Sequence, residues 1–218
     1  MTFSLVGRCP RTGQIGAAVA TSSIAVGARC TWCAAGVGAV LTQHRTDPRL
    51  GPRGLALLRS GCSAQQTRDA LIASTPYPHW RQLAVLDAAG NTAAYSGTST
   101  RPELGVAQSQ DCCAIGNILA SALVPAAMVR AFRVDPSAPL AERLVQALEA
   151  GLAAGGEHVP VRSAHLLVVE RESFPLIDLR VDWHDAPIAA LRALWQLYAP
   201  QSGDYLLRAL DPDNPSIT

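Results

Sequence analysis

The sequence predicts an α+β fold in which antiparallel sheets are covered by helices, with a single domain over residues 1–210 and a frayed tail at 211–218. Three observations carry this. Strand-like segments are joined by tight-turn chemistry, Pro10-Arg11-Thr12-Gly13 and Asp87-Ala88-Ala89-Gly90, which makes hairpins and not crossovers. Helical segments come in pairs instead of alternating with single strands, against a parallel doubly wound sheet. Hydrophobic residues are 49% of the chain and charged ones 16%, enough apolar surface for one well-buried core and too little charge for a disordered segment.

Residues 2–8 and 14–22 form the first hairpin, with Gly13 free to take positive φ. With the turn centred near Arg11 and Thr12, antiparallel pairing puts Thr2 across from Thr21, Ser22 or Ser23. The second strand, Gly16-Ala17-Ala18-Val19-Ala20, is small enough to let another layer approach closely. Residues 34–43 read as one further buried strand, ending in Gln43-His44-Arg45. A short apolar helix covers 55–58 and stops near Gly61, and Ser63-Ala64-Gln65-Gln66 is a capping box that opens a helix to about Ala73. Residues 82–86 and 92–95 pair as the second hairpin. After a loop, 112–119 form a strand ending near Gly116-Asn117, and a helix runs from about Ser121 to Phe132 with Pro125 near its start. A longer helix spans about Ala138 to Ala154, with Ser137 as cap and Gly155-Gly156 as stop. Strands at 163–170 and 176–182 follow, then a helix from about Ala186 to Tyr198 capped by Asp185.

Composition excludes several chemistries. A net charge of +1 offers no electrostatic basis for binding nucleic acid or an anionic membrane. No apolar run reaches the ~20 residues that span a bilayer. The sequence has no lysine, its 18 basic residues all being arginine, so a lysine base, Schiff base or phosphate-loop lysine is excluded. Gly36-Val37-Gly38 lacks the third glycine and the helix of a dinucleotide loop. Cys30 and Cys33 have no second pair at zinc spacing, Cys112-Cys113 is too cramped for joint ligation, and the five histidines fall without i, i+4 spacing. Neither a metal nor another cofactor is therefore expected. The first residues read as a strand and not as a secretory leader, which places the protein in the cytoplasm with its cysteines reduced.

The positive signal is Met1-Thr2. Once Met1 is removed, Thr2 offers a hydroxyl and a free α-amine on one residue, a nucleophile with its own base. The competing reading is that Thr2 simply begins a β-branched strand.

Thr2-Phe3-Ser4-Leu5-Val6, Gly16-Ala17-Ala18-Val19-Ala20, Ala35 to Val40, Thr42-Gln43, Gly51-Pro52-Arg53-Gly54-Leu55, Gly116 to Ala120 and Leu179-Arg180-Val181-Asp182 resemble, in order and spacing, a bacterial family known as domain of unknown function 1028. That family is similar in fold to the N-terminal-nucleophile (Ntn) hydrolases. The resemblance implies a four-layer αββα sandwich of two antiparallel sheets. It also implies hydrolysis of a small amide, ureide or N-acyl compound through an acyl intermediate on Thr2. The sequence departs from the family at Cys30 and Cys33, where aliphatic residues and Ala are usual, and at Trp183, where an acidic residue is common. The helper lysine of proteasome-like members is absent, which leaves the Thr2 amine as the base.

On such a scaffold Asn117 is the candidate oxyanion donor. Ser22 and Ser23 follow from hairpin register as neighbours of Thr2. Gln43 and His44 are placed to line the pocket, and Arg162 to pair a substrate carboxylate. Each has an ordinary alternative: a turn asparagine, strand-end hydroxyls, solvated polar ends and a surface ion pair. The expected partners are a small-molecule substrate and further copies of the chain as a homo-oligomer. A binding or assembly protein without chemistry on the same scaffold is the competing function.

Overall fold

The computed structural model describes residues 1–100 and 103–215. Along them run β1 (Thr2–Arg8), β2 (Ile15–Thr21), β3 (Thr31–Ala34), β4 (Gly38–His44), α1 (Leu50–Arg59), α2 (Ala64–Ser74), β5 (Arg81–Asp87) and β6 (Thr92–Ser96). Then follow β7 (Gly105–Ser109), β8 (Cys112–Asn117), α3 (Val124–Arg133), α4 (Leu140–Ala153), β9 (Ser163–Val169), β10 (Ile177–Val181), α5 (Pro187–Tyr198) and α6 (Ser202–Leu210). The strands pair antiparallel in a six-stranded sheet, β10-β9-β2-β1-β8-β7, and a four-stranded sheet, β3-β4-β5-β6.

Side-chain alternation sorts these strands into layers. Phe3 and Leu5 of β1 point to one face and pack with Phe132, Leu144 and Leu148 of α3 and α4. Val6 points to the other face, where it meets Leu41, Leu86 and Ile115 between the sheets. Val40, Leu83 and Val85 face outward again onto Leu50, Leu58 and Leu71 of α1 and α2. The result is the expected αββα sandwich. Close approach of helix to sheet depends on missing side chains: a Cβ at Gly7 would lie 2.5 Å from the Phe132 ring. The same alternation assigns Thr2 and Ser4 to the inter-sheet face, and this is what places the N-terminus at a site.

Several local expectations are corrected. Residues 34–43 are not one strand, because Gly36 at φ 67 turns the chain and pairs Ala34 with Gly38 in the β3–β4 hairpin. Helix α1 starts at Leu50 and not at Leu55, with Pro52 in its first turn, where a missing N–H is harmless. Helix α3 starts at Val124, after a turn in which Ser121 Oγ accepts the Leu123 N–H at 3.2 Å. Ser137 does not cap α4: its N–H and hydroxyl donate to Asp135 at 2.9 and 2.6 Å, and Pro139 holds the cap position. Asp185 does not cap α5, since it pairs with Arg162 and Ala186 stands at the cap. Strand β7 and helix α6 were not expected at all; β7, Gly-Val-Ala-Gln-Ser, is an edge strand with little β-branched content.

Other signals hold. The Ser63 N–H donates to Gln66 Oε1 at 2.9 Å and the Gln66 N–H to Ser63 Oγ at 3.2 Å, the reciprocal bonds of a capping box. Beyond α6, residues 211–215 form turns, and residues 216–218 of the expected tail lie outside the described residues. Among the described residues no helix is long and apolar enough to cross a membrane. Cys112 and Cys113, adjacent on β8, point to opposite faces and pack as small apolar groups in separate cores. Burial pushes the Cys112 thiol up to about 11.

Candidate active site

Thr2 opens β1 on its inter-sheet face and is almost fully buried. Asn117 of β8 stands opposite it on one side, and on the other the pairing of Phe3 with Ala20 brings Thr21 alongside. Thr2 Oγ lies 3.3 Å from Thr21 Oγ and donates to the Met1 carbonyl oxygen, which also accepts from Thr21 Oγ at 2.6 Å. Met1 lines an open cleft of about 320 Å³ together with His44, Arg45, Trp80 and Ile118. The backbone is strained at two of these positions, His44 at φ 71 and Ile118 at φ 53. A β-branched residue in the left-handed region costs on the order of 1–3 kcal/mol, and such strain concentrates where a chain is shaped for function.

The charge of this corner comes from Glu157, just past the Gly155-Gly156 turn that ends α4. Its side chain is buried, one carboxylate oxygen accepts the Ser22 N–H at 3.0 Å, and the other has no hydrogen-bond partner. Burial raises the Glu157 pKa above the usual carboxylate range, opposed by Ser22 and by the nearby Met1 ammonium. Burial likewise depresses the Met1 amine, opposed by the attraction of Glu157. A buried acid and a partly desolvated amine thus attract one another in this corner.

Below Thr2 a belt of buried amides ties the two sheets together. Ser4 Oγ donates to Gln43 Oε1 at 2.6 Å, and Gln43 Nε2 donates to Gln82 Oε1 at 2.8 Å. Asn117 Nδ2 donates to the same Gln82 oxygen at 2.9 Å, while Gln82 Nε2 reaches Ser96 Oγ at 3.0 Å and the Gly116 carbonyl at 2.9 Å. Asn117 Oδ1 is buried without a partner. A fully buried network of this kind specifies one register between the sheets.

The structure therefore gathers some of the residues singled out from sequence and separates others. Asn117 is beside Thr2. His44 lines the Met1 cleft, its ring stacked on Trp80 at 5.9 Å with Nδ1 3.1 Å from the Trp80 carbonyl oxygen. Gln43 belongs to the belt and not to the cleft wall. The hydroxyl nearest Thr2 is that of Thr21, whereas Ser22 and Ser23 engage through their backbone, with Glu157 and with Thr21 Oγ. Arg162 donates its backbone N–H to Thr21 at 2.7 Å, but its guanidinium turns away to pair with Asp185. Glu157, Trp80 and Ile118 were not anticipated; the Gly155-Gly156 turn next to an acidic residue is the one local sign that pointed there. Among the described residues no group of three or more His, Cys, Asp or Glu side chains is arranged to hold a metal ion.

The molecule is thus an αββα sandwich in which a buried threonine, second in the chain, adjoins the Met1 that lines an open cleft. The chain belongs to the family of unknown function DUF1028, whose model matches residues 2–191. A crystal structure of a DUF1028 protein from Silicibacter pomeroyi is similar over 91% of this chain and 89% of that one, at 32% identity and a TM-score of 0.84. Anbu, the ancestral beta-subunit, from Yersinia bercovieri aligns over 99% of both chains at 12% identity and a TM-score of 0.40. The Anbu (Gly-1) mutant from a Hyphomicrobium strain aligns over 93% of this chain and 96% of that one, at 12% identity and a TM-score of 0.43. No curated protein matches the chain.

Proposed function

We propose that the protein is an amide hydrolase whose nucleophile is Thr2, freed by removal of Met1, acting on a small amide, ureide or N-acyl compound in the cytoplasm. The observation that carries this reading is the seat of Met1. Its carbonyl oxygen accepts from the Thr2 and Thr21 hydroxyls, its amine is attracted by buried Glu157, and it lines the open cleft, so its removal would make room there for a substrate's acyl part. With Met1 gone, the Thr2 amine takes the hydroxyl proton as Oγ attacks the substrate carbonyl carbon, then passes it to the leaving nitrogen. Water attacks the resulting Thr2 ester, again with the amine as base, and the carboxylic acid leaves. The second N–H of Asn117 Nδ2 is assigned to the oxyanion, its first being held by Gln82. Glu157, facing the space that the Met1 ammonium vacates, accepts a substrate N–H.

The second reading, a binding or assembly protein without chemistry, draws on that same bond between Asn117 and Gln82, which takes up part of the oxyanion donor. Intact mass, together with hydrolysis of a panel of small amides by wild type, Thr2→Ser and Thr2→Ala, separates the two. Loss of Met1 with activity in wild type and Thr2→Ser but not Thr2→Ala is the expected result. Retained Met1 and no turnover of any amide would leave the binding reading standing.

A further inference from the structure

Thr31 opens β3, the edge strand of the smaller sheet, and its hydroxyl lies 2.7 Å from His165 Nδ1. Along β9, Ala164, Leu166 and Val168 face the helix layer, so His165 and Leu167 face the other way, toward β3. The His165 ring is 1% exposed, and its Nε2 lies 2.8 Å from Asp178 Oδ1 on β10. A Cβ at Gly27 would fall 2.6 Å from the ring, so the imidazole is seated against bare backbone and cannot swing away. The bonds to His165 and Arg180 hold the Asp178 carboxyl below the usual carboxylate range. A carboxylate only accepts hydrogen bonds. Nε2 therefore carries the hydrogen, Nδ1 of the neutral ring is the acceptor, and the Thr31 hydroxyl is its donor. Hydroxyl, imidazole and carboxylate stand in series, the arrangement that turns an alcohol into a nucleophile.

Thr31 also lines a cleft of about 630 Å³, together with Leu167 of β9 and Arg180 of β10 in the larger sheet. Leu55 and Leu167 give this cleft an apolar wall, while Arg59, Arg171 and Arg180 outnumber Glu172 among its charges. None of its lining residues lines the Met1 cleft. The mechanism at Thr2 uses none of these groups.

We propose that Thr31, His165 and Asp178 form a second acyl-transfer site that hydrolyses small esters carrying a carboxylate. Thr31 Oγ attacks the ester carbonyl carbon as its proton passes to His165 Nδ1. The bond to the leaving alkoxide breaks, and Nδ1 returns the proton to that oxygen. Water then attacks the acyl-Thr31 ester with Nδ1 as base, releasing the carboxylic acid and restoring the Thr31 hydroxyl. Asp178 is a positioning residue that stays ionised throughout, and the cleft arginines hold the substrate carboxylate.

The test uses mono-4-nitrophenyl glutarate and the full chain. Nitrophenol release and a glutaryl adduct mapped by peptide mass to Thr31 are expected in wild type and equally in Thr2→Ala. Thr31→Ser should keep both and Thr31→Val should lose both. Asp178→Asn, at a partly exposed position, should slow release by roughly 10³–10⁴-fold, because an amide at that place favours the wrong imidazole tautomer. The neutral 4-nitrophenyl acetate should react more slowly than the glutarate. An adduct on Thr2, no adduct at all, or wild-type rates in Asp178→Asn with its fold confirmed by circular dichroism would overturn the proposal.

Discussion

The two threonines that open β1 and β3 sit at neighbouring points of the inter-sheet space and are prepared in different ways. In the proposed mechanism Thr2 takes its base from its own α-amine, freed when Met1 is removed, and its nearest hydroxyl is only 19 positions away, across a hairpin. Thr31 has no amine of its own and borrows a ring 134 positions distant, which is in turn held by a third strand. On the proposed mechanism the first corner is armed by one covalent event, the loss of Met1. The second depends on packing throughout, so the two should respond to different insults.

The largest expected difference comes from the N-terminus. Acetylating or extending it removes the base proposed for Thr2 Oγ and should lower amide hydrolysis by about 10²–10⁴-fold, with ester turnover at Thr31 unchanged. Steady-state rates on one amide and one ester, with native and blocked termini, read both at once. A parallel fall in the two would mean that the corners are a single site.

Gln82→Leu probes the floor beneath Thr2. It strips the acceptor from Gln43 Nε2 and Asn117 Nδ2, and each buried donor left unpaired costs about 1–3 kcal/mol. A denaturant titration should show that loss, and the acylation rate at Thr31 should hold. Gly27→Ala does the converse: it presses a methyl into the His165 ring, with about 1–3 kcal/mol of overpacking. Here ester turnover should fall while amide hydrolysis at Thr2 survives; a variant with both intact would show that the ring has room to move.

The smallest effects are on stability against pH, and their signs are opposite at the two corners. Asp178 is depressed in the fold, first by the bond to His165 and also by Arg180, so its stabilisation is present above its ordinary pKa of about 3.9 and is lost as pH falls through the lower folded value. Glu157 is raised, by burial above all, so its contribution is full below its ordinary value near 4.3 and is lost as pH rises through the higher folded one. Thermal melts of Asp178→Asn should flatten the acid limb, and melts of Glu157→Gln in the chain bearing Met1 should flatten the limb above it. Identical profiles for both variants would remove the electrostatic contrast.

Local chemistry in the sequence accounts for much of the frame. The Pro10 to Gly13 turn, the Ser63–Gln66 capping box and the Gly155-Gly156 stop act within four or five residues, and period-2 alternation alone turns Thr2 and Phe3 to opposite faces. Hairpin register brought Thr21 next to Thr2 within the range expected. Where local signals compete, reading fails: two glycines in an apolar run hid the β3–β4 turn, and Asp135 took Ser137 away from α4.

What the sequence by itself determined is therefore the set of elements that hydrogen bonds and turn residues close over short spans, together with the position of a threonine at the start of an inner strand. Only the tertiary structure decided that Glu157 lies over Met1, that Asn117 shares an acceptor with Gln43, and that Thr31, His165 and Asp178 stand in one line. The physical reason is that alternation says which side chains share a face but not which faces meet. That choice was made by the order of strands in each sheet and by the packing of the two sheets on one another.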